Sequence, residues 1–256
     1  MRTIIPFLFV SLLCACGGES KVNSEETQST SSTDKESSSE DLETKAKRHA
    51  EARLGISPTE KYSIKIYSEN LDGDEQPDAI IILNRLEFAK NDASKSKNPV
   101  KHAELGFMGN YNYLFYYDGG LDKISPEIPV PSSANAPLKV SFEHIASEKF
   151  KDILIDYRVL NASFRNFYTV IEHTPRQVFQ WKVFDGLNKT EKEAYHFNYA
   201  EGTIGPQKDI LVMKATMKDP GKVADIYSFE PEITPTSEQL YRFFYYPREG
   251  KYMSKK

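Results

Sequence analysis

Three times along this chain an aspartate opens a short aliphatic run, and that recurrence limits the fold more than any other feature. The runs are Pro77-Asp78-Ala79-Ile80-Ile81-Ile82, Lys151-Asp152-Ile153-Leu154-Ile155 and Lys208-Asp209-Ile210-Leu211-Val212. A polar residue leading into consecutive aliphatic residues reads as a buried strand leaving a loop. Each run follows an alternating segment: Tyr62-Ser63-Ile64-Lys65-Ile66, Leu138-Lys139-Val140-Ser141-Phe142 and Tyr195-His196-Phe197-Asn198-Tyr199. Each is followed later by an aromatic segment that ends in a turn signal, at 113–120, 179–186 and 241–250. Asp-Gly and Pro-x-x-Gly there are hairpin signals. The repeated order predicts an all-β chain of three antiparallel sheet repeats, about 62–125, 138–187 and 195–252, each of three or four strands. The first interval is longer because 89–101, rich in Lys, Asn, Ser and Asp, reads as an inserted polar loop.

One short helix should precede the sheets. Asp41 is a good N-cap, Leu42, Ala46, Ala50 and Leu54 recur every four residues, and Gly55 with Pro58 marks the stop. Upstream, 16–41 is rich in Ser, Thr and Glu and poor in apolar residues, so it reads as a flexible tether to the domain 42–256. The chain opens with Met1-Arg2, an apolar run from Ile4 to Leu13, and Leu13-Cys14-Ala15-Cys16. That run is far below the roughly 20 residues a membrane span needs, so 1–15 reads as a removable signal.

The Leu-Cys-Ala-Cys order resembles the lipobox of bacterial lipoproteins. The resemblance implies cleavage before Cys16 and acyl chains, palmitate among them, on its sulfur and new amino terminus, a multiple anchor that holds far better than one chain. It implies a place in the cell envelope, on the outer membrane at its periplasmic face or the cell surface. Glu19, Glu25 and Glu26 look like a scattered form of the acidic export signal of some Bacteroidetes surface lipoproteins. Loss of Cys14 leaves Cys16 as the only cysteine of the two in the chain, so a disulfide, a thiol nucleophile and a cysteine metal cluster are excluded from the mature domain. A formal charge of −4 does not point to nucleic acid. Aromatic residues, at 12%, favour sheet.

The loop before the first run, Asn70-Leu71-Asp72-Gly73-Asp74-Glu75-Gln76-Pro77-Asp78, places oxygens at alternate positions. Asn70, Asp72, Asp74, the Gln76 carbonyl and Asp78 form a hard-oxygen set of the kind calcium takes. Here the chain resembles the FG-GAP or VCBS repeat, whose calcium loop lies between two strands of a β-propeller blade. The resemblance implies propeller-like blades. Closed propellers usually have about four to eight blades, so three units imply an open arc or a rearrangement. Asn70 replaces the usual first aspartate, Glu75 stands where a glycine usually permits φ > 0, and Ile81 at the twelfth position excludes an EF-hand. Affinity should fall in the weak extracellular range of about 10⁻⁴–10⁻³ M. The second and third loops, 144–152 and 201–209, carry lysines and fewer acids, so one calcium site is expected.

Catalytic signatures are scarce. No His-Glu-x-x-His, Gly-x-Ser-x-Gly or Walker loop occurs, and the five histidines (His49, His102, His144, His173, His196) read as surface or sheet residues. The expectation is a non-enzymatic envelope module that binds a protein or glycan, with no nucleic-acid partner. A carboxylate-dependent hydrolase of envelope or extracellular polymers would instead need a pocket holding two acids of divergent pKa. A structural subunit of an outer-membrane assembly would need a large exposed apolar patch.

Overall fold

The computed structural model describes residues 41–99, 102, 109–218, 220–221 and 229–254. The signal, Cys16 and the tether up to residue 40 lie outside the described residues. Among those described, no helix is long and apolar enough to cross a membrane.

Helix α1 (Leu42–Leu54) starts where Asp41 accepts hydrogen bonds from the Glu43 and Thr44 N–H groups at 2.8 and 3.3 Å. It stops at Gly55, whose φ of 59° suits a residue without a Cβ. Among the described residues thirteen strands follow, all antiparallel: β1 (Ser63–Glu69), β2 (Asp78–Asn84), β3 (Asn112–Asp118), β4 (Lys123–Ile124), β5 (Ile128–Pro129), β6 (Lys139–Glu143), β7 (Asp152–Val159), β8 (Ala162–Ile171), β9 (Thr174–Asp185), β10 (Glu193–Ala200), β11 (Asp209–Met217), β12 (Ile233–Tyr246) and β13 (Lys251–Met253). One sheet runs β1-β2-β3-β4, with β5 also against β3, and the other runs from β6 to β13 in chain order. Within the second sheet, β9 and β10 meet only through Glu193↔Asp185 and Ala194↔Phe184. It is therefore a pair of four-stranded meanders, β6–β9 and β10–β13, joined at one corner. Ladder pairing thus gives two sheets, neither closed, where three separate ones were expected.

Two helices are present among the described residues, not one. The segment expected to be a polar loop carries α2 (Leu86–Lys95). Its buried stripe is built from small residues, Ala89 and Ala93, which the surrounding lysines and asparagines hide in a composition reading. The aromatic segments are not equivalent either. Those at 113–117 and 241–246 lie in third strands, β3 and β12, whereas 179–184 lies in a fourth strand, β9. The β8–β9 turn is Glu172-His173, with φ of 50° and 60°, and Asp185-Gly186 instead leaves the meander.

The three Asp-led strands are central, and alternate side chains enter different cores. From β2, Ile81 and Leu83 pack under α1 with Ala46, Ala50 and Phe115. Its Ile80 and Ile82 face the other way and meet Ile153 and Ile155 of β7. Leu154 of β7 then meets Ile210 and Val212 of β11, with Phe167, Phe179 and Phe243. The order is helix, meander, meander, meander, packed face on face. The β2 and β7 runs are covered on both faces and so have no polar side to show; in β11 only Ile210 and Val212 face the shared core, and Leu211 is half-buried.

Candidate metal centre

Each Asp-led strand is preceded by a loop of eight residues: 70–77, 144–151 and 201–208. All three aspartates are buried and turn back to cap their own loop. Asp78 Oδ2 accepts from the Leu71 N–H at 3.0 Å. Asp152 Oδ2 accepts from the Ile145 and Ala146 N–H groups at 3.1 and 2.6 Å, and its other oxygen accepts from the Thr169 hydroxyl. Asp209 Oδ2 accepts from Thr203 N–H at 3.2 Å and faces Arg242 at 2.7 Å. Burial pushes the Asp78 and Asp152 carboxyls up from the ordinary value, with the N–H donors opposing it. The loops are also stitched edge to edge. Lys151 N–H donates to the Asn70 carbonyl at 3.0 Å, and Lys208 N–H to the Ile145 carbonyl at 2.9 Å. The lysine side chains lie over neighbouring acids, Lys151 on Glu69 and Lys208 on Glu148, each at 2.7 Å.

What sets the first loop apart is the turn beneath it. Gly119 N–H donates to Asp78 Oδ1 at 3.0 Å. A Cβ on Gly119 would stand 2.3 Å from the Pro77 carbonyl oxygen, and one on Gly120 would stand 2.2 Å from Asp74 Oδ2. At Gly119 the loop and the β3–β4 turn therefore touch through backbone that only glycine permits, while at Gly120 the neighbour is the end of the Asp74 side chain. This contact carries Asp118 under the loop. Asp118 Oδ1 accepts from Leu121 N–H at 2.7 Å, and its Oδ2 accepts from His173 Nδ1 at 2.7 Å. His173 Nδ1 also lies 3.8 Å from Asp72 Oδ2. One ligand atom each from Asp72, Asp118 and His173 falls within 4.8 Å of the others. Beside them, the Tyr116 hydroxyl sits 3.4 Å from Asp72 Oδ2. Burial, then the charges of Asp78, Asp72 and Asp118, push its pKa far up, so it stays a neutral donor.

The residues named from sequence divide into two groups. In the first, Asn70 Oδ1, Asp72 Oδ1 and Asp74 Oδ1 each accept a backbone N–H inside the loop, from Gly73, Asp74 and Gln76 at 3.1, 3.0 and 2.7 Å. Asp78 has both oxygens engaged by Leu71 and Gly119. What remains is Asp72 Oδ2 and Asp74 Oδ2, on the side facing the turn, with the Gln76 carbonyl following them in the chain. Glu75 is not at positive φ; the loop turns at Gly73, with φ of 85°. Asp118 and His173 went unrecognised in sequence. Asp118 stands inside Tyr117-Asp118-Gly119-Gly120, a hairpin signal that resembles the repeat family only weakly and names no ligand, and His173 comes from another meander. Carboxylates and a carbonyl suit a hard cation such as calcium, while an imidazole suits zinc and its neighbours. Around calcium, His173 would serve as a hydrogen-bond donor that orients Asp118.

No protein-family model matches this chain, nor does any curated protein or solved structure.

Proposed function

We propose that this chain is a lipid-anchored, non-enzymatic binding module of the bacterial cell envelope, held to the outer membrane through Cys16 and built from degenerate propeller-blade-like units. A single calcium ion joins the 70–78 loop to the β3–β4 turn, taken by Asp72, Asp74 and Asp118 with the Gln76 carbonyl. Asp78 organises the loop from behind.

One observation carries the non-enzymatic reading. Among the described residues, the carboxyls displaced upward, Asp78 and Asp152, are locked onto backbone N–H groups beneath their loops, where a substrate would not reach them. In the open cleft at the β9–β10 connection, Lys182 pairs with Asp185 and Glu193, and that pairing holds the Glu193 carboxyl low. A carboxylate pair set for acid and base roles would need one acid raised and accessible.

The test is calorimetric titration of calcium into the chain carrying Cys16→Ser, beside an Asp72→Ala/Asp118→Ala double variant. Saturable binding and a raised melting temperature in the parent alone are expected. Absence of binding up to about 10 mM, beyond the weak extracellular range, would remove calcium, and tighter binding of zinc than calcium would reassign the ion. Incorporation of labelled palmitate that survives Cys16→Ser would overturn the anchor.

A further inference from the structure

A cleft of 730 Å³ opens where the face of the β6–β9 meander runs out from under the first sheet. Its floor is β7, β8 and β9, and its opposite wall is the segment Ile128-Pro129-Val130-Pro131. Cross-strand register gathers its side chains in rows: Tyr157 opposite Phe164, Asn166 opposite Gln180, and Tyr168 opposite Gln177. The Tyr157 and Phe164 rings stack with centroids 5.7 Å apart and planes at 22°. Beside them runs an amide relay. Gln180 Nε2 donates to the Tyr157 hydroxyl at 2.5 Å and to Asn166 Oδ1 at 2.8 Å. Gln177 Nε2 donates to the same Asn166 oxygen at 3.4 Å, and Asn166 Nδ2 donates to the Tyr168 hydroxyl at 3.2 Å.

From these features we infer that the cleft binds a neutral glycan, an assignment that rests on the binding-module reading and gives it a ligand class. All twelve lining residues are uncharged, so the site offers nothing to neutralise a uronic acid, a phosphate or a basic peptide. Its size is that of an ordinary ligand site, and its mix of apolar surface with a few convergent polar groups is what such sites share. The aromatic pair gives an apolar face for the C–H side of a sugar ring. The carboxamides supply the rest. Gln177 and Gln180 are exposed, and each uses one end of its amide inside the relay, which leaves the other end for a ligand. A sugar hydroxyl both donates and accepts, so it satisfies that end whichever atom it is. A proline-rich peptide, the other ligand that favours aromatic grooves, has few N–H donors and matches only an amide nitrogen.

The test uses the full mature chain in detergent, titrated with neutral gluco-, xylo- and manno-oligosaccharides, an oligogalacturonate and a decaproline peptide. Parent protein is compared with Gln177→Ala, Gln180→Ala and Phe164→Ala, with melting temperatures to show that each folds. The expected result is saturable binding of a neutral oligosaccharide, weakened about tenfold by Gln180→Ala and by Phe164→Ala, the scale of one lost stacking or amide contact. Binding that survives both variants, binding of decaproline alone, or no binding of any neutral saccharide would each overturn the assignment. Because calcium binding is measured separately, loss of the glycan site leaves the metal reading standing. Cleavage of a bound saccharide would overturn the non-enzymatic reading while upholding the ligand class.

Discussion

Replacing Asp152 by alanine tests how the hairpin loops are held. Its carboxylate accepts from two backbone N–H groups, of Ile145 and Ala146, and from the hydroxyl of Thr169. Asp152 is 2% exposed and Ile145 is 3% exposed, so water does not replace the lost acceptor without rearrangement. A buried donor left without a partner costs about 1–3 kcal/mol. The Thr169 hydroxyl can rotate and adds less. The buried Ile145 N–H is orphaned at about 1–3 kcal/mol, the part-buried Ala146 N–H adds less, and relief from burying a carboxylate returns part of it, leaving about 1–3 kcal/mol net. Asparagine keeps one oxygen for both N–H groups and lets the threonine hydroxyl turn to accept from its amide, so Asp152→Asn should cost about 1 kcal/mol or less. Urea unfolding at neutral pH, followed by circular dichroism, separates the two as a shift of midpoint at constant slope. An alanine variant within about 1 kcal/mol of the parent would show that the loop does not depend on this acceptor. An asparagine variant as damaged as alanine would show that charge, not acceptor geometry, holds the loop.

The pH dependence of the same pair follows from sign. Burial raises the folded pKa of Asp152 above its ordinary value of 3.8, so between the two the folded state keeps a proton that the unfolded state has lost. Stability therefore falls as pH rises through that window, and the difference between parent and Asp152→Asn unfolding energies across the acid range should show it; a flat difference would refute the shift. At the β3–β4 turn, Gly119→Ala drives a Cβ against the Pro77 backbone and should cost about 1–3 kcal/mol, read as a lower melting temperature. Gly120→Ala meets only the movable end of Asp74, so it should cost under about 1 kcal/mol yet weaken calcium in the same titration. Arg85 holds Glu60 through two bonds of 2.6 and 2.7 Å, both side chains 10% exposed. Arg85→Met should cost about 3–5 kcal/mol by stranding a buried charge, and adding Glu60→Gln should recover much of it in a double-mutant cycle.

The parts of the fold that were readable from sequence are those set by neighbours in the chain. Asp41 and Gly55 bound α1 because caps act within a turn, and the three Asp-led runs are central strands because an aliphatic run needs neighbouring strands and a packed face to bury it. The α2 segment escaped because its packing stripe is alanine, which carries little hydrophobic contrast. The Leu160-Asn161 and Glu172-His173 turns escaped because they hold positive φ at Leu160, Glu172 and His173 without glycine. The metal centre was half legible. Asp72 and Asp74 lie in one loop, but Asp118 is brought there by the β2–β3 register and His173 by the packing of the next meander, which one-dimensional spacing does not record.

Among the described residues, every strand pairing except β3 with β5 joins neighbours in chain order. A ladder between neighbours closes a short loop and incurs little chain entropy, so each meander can form before the next has been placed. The stitches from Lys151 to Asn70 and from Lys208 to Ile145 come later, since they need two finished hairpins side by side. Pairing is thus local within each meander, and what joins one meander to the next is face packing and a few loop-to-loop hydrogen bonds.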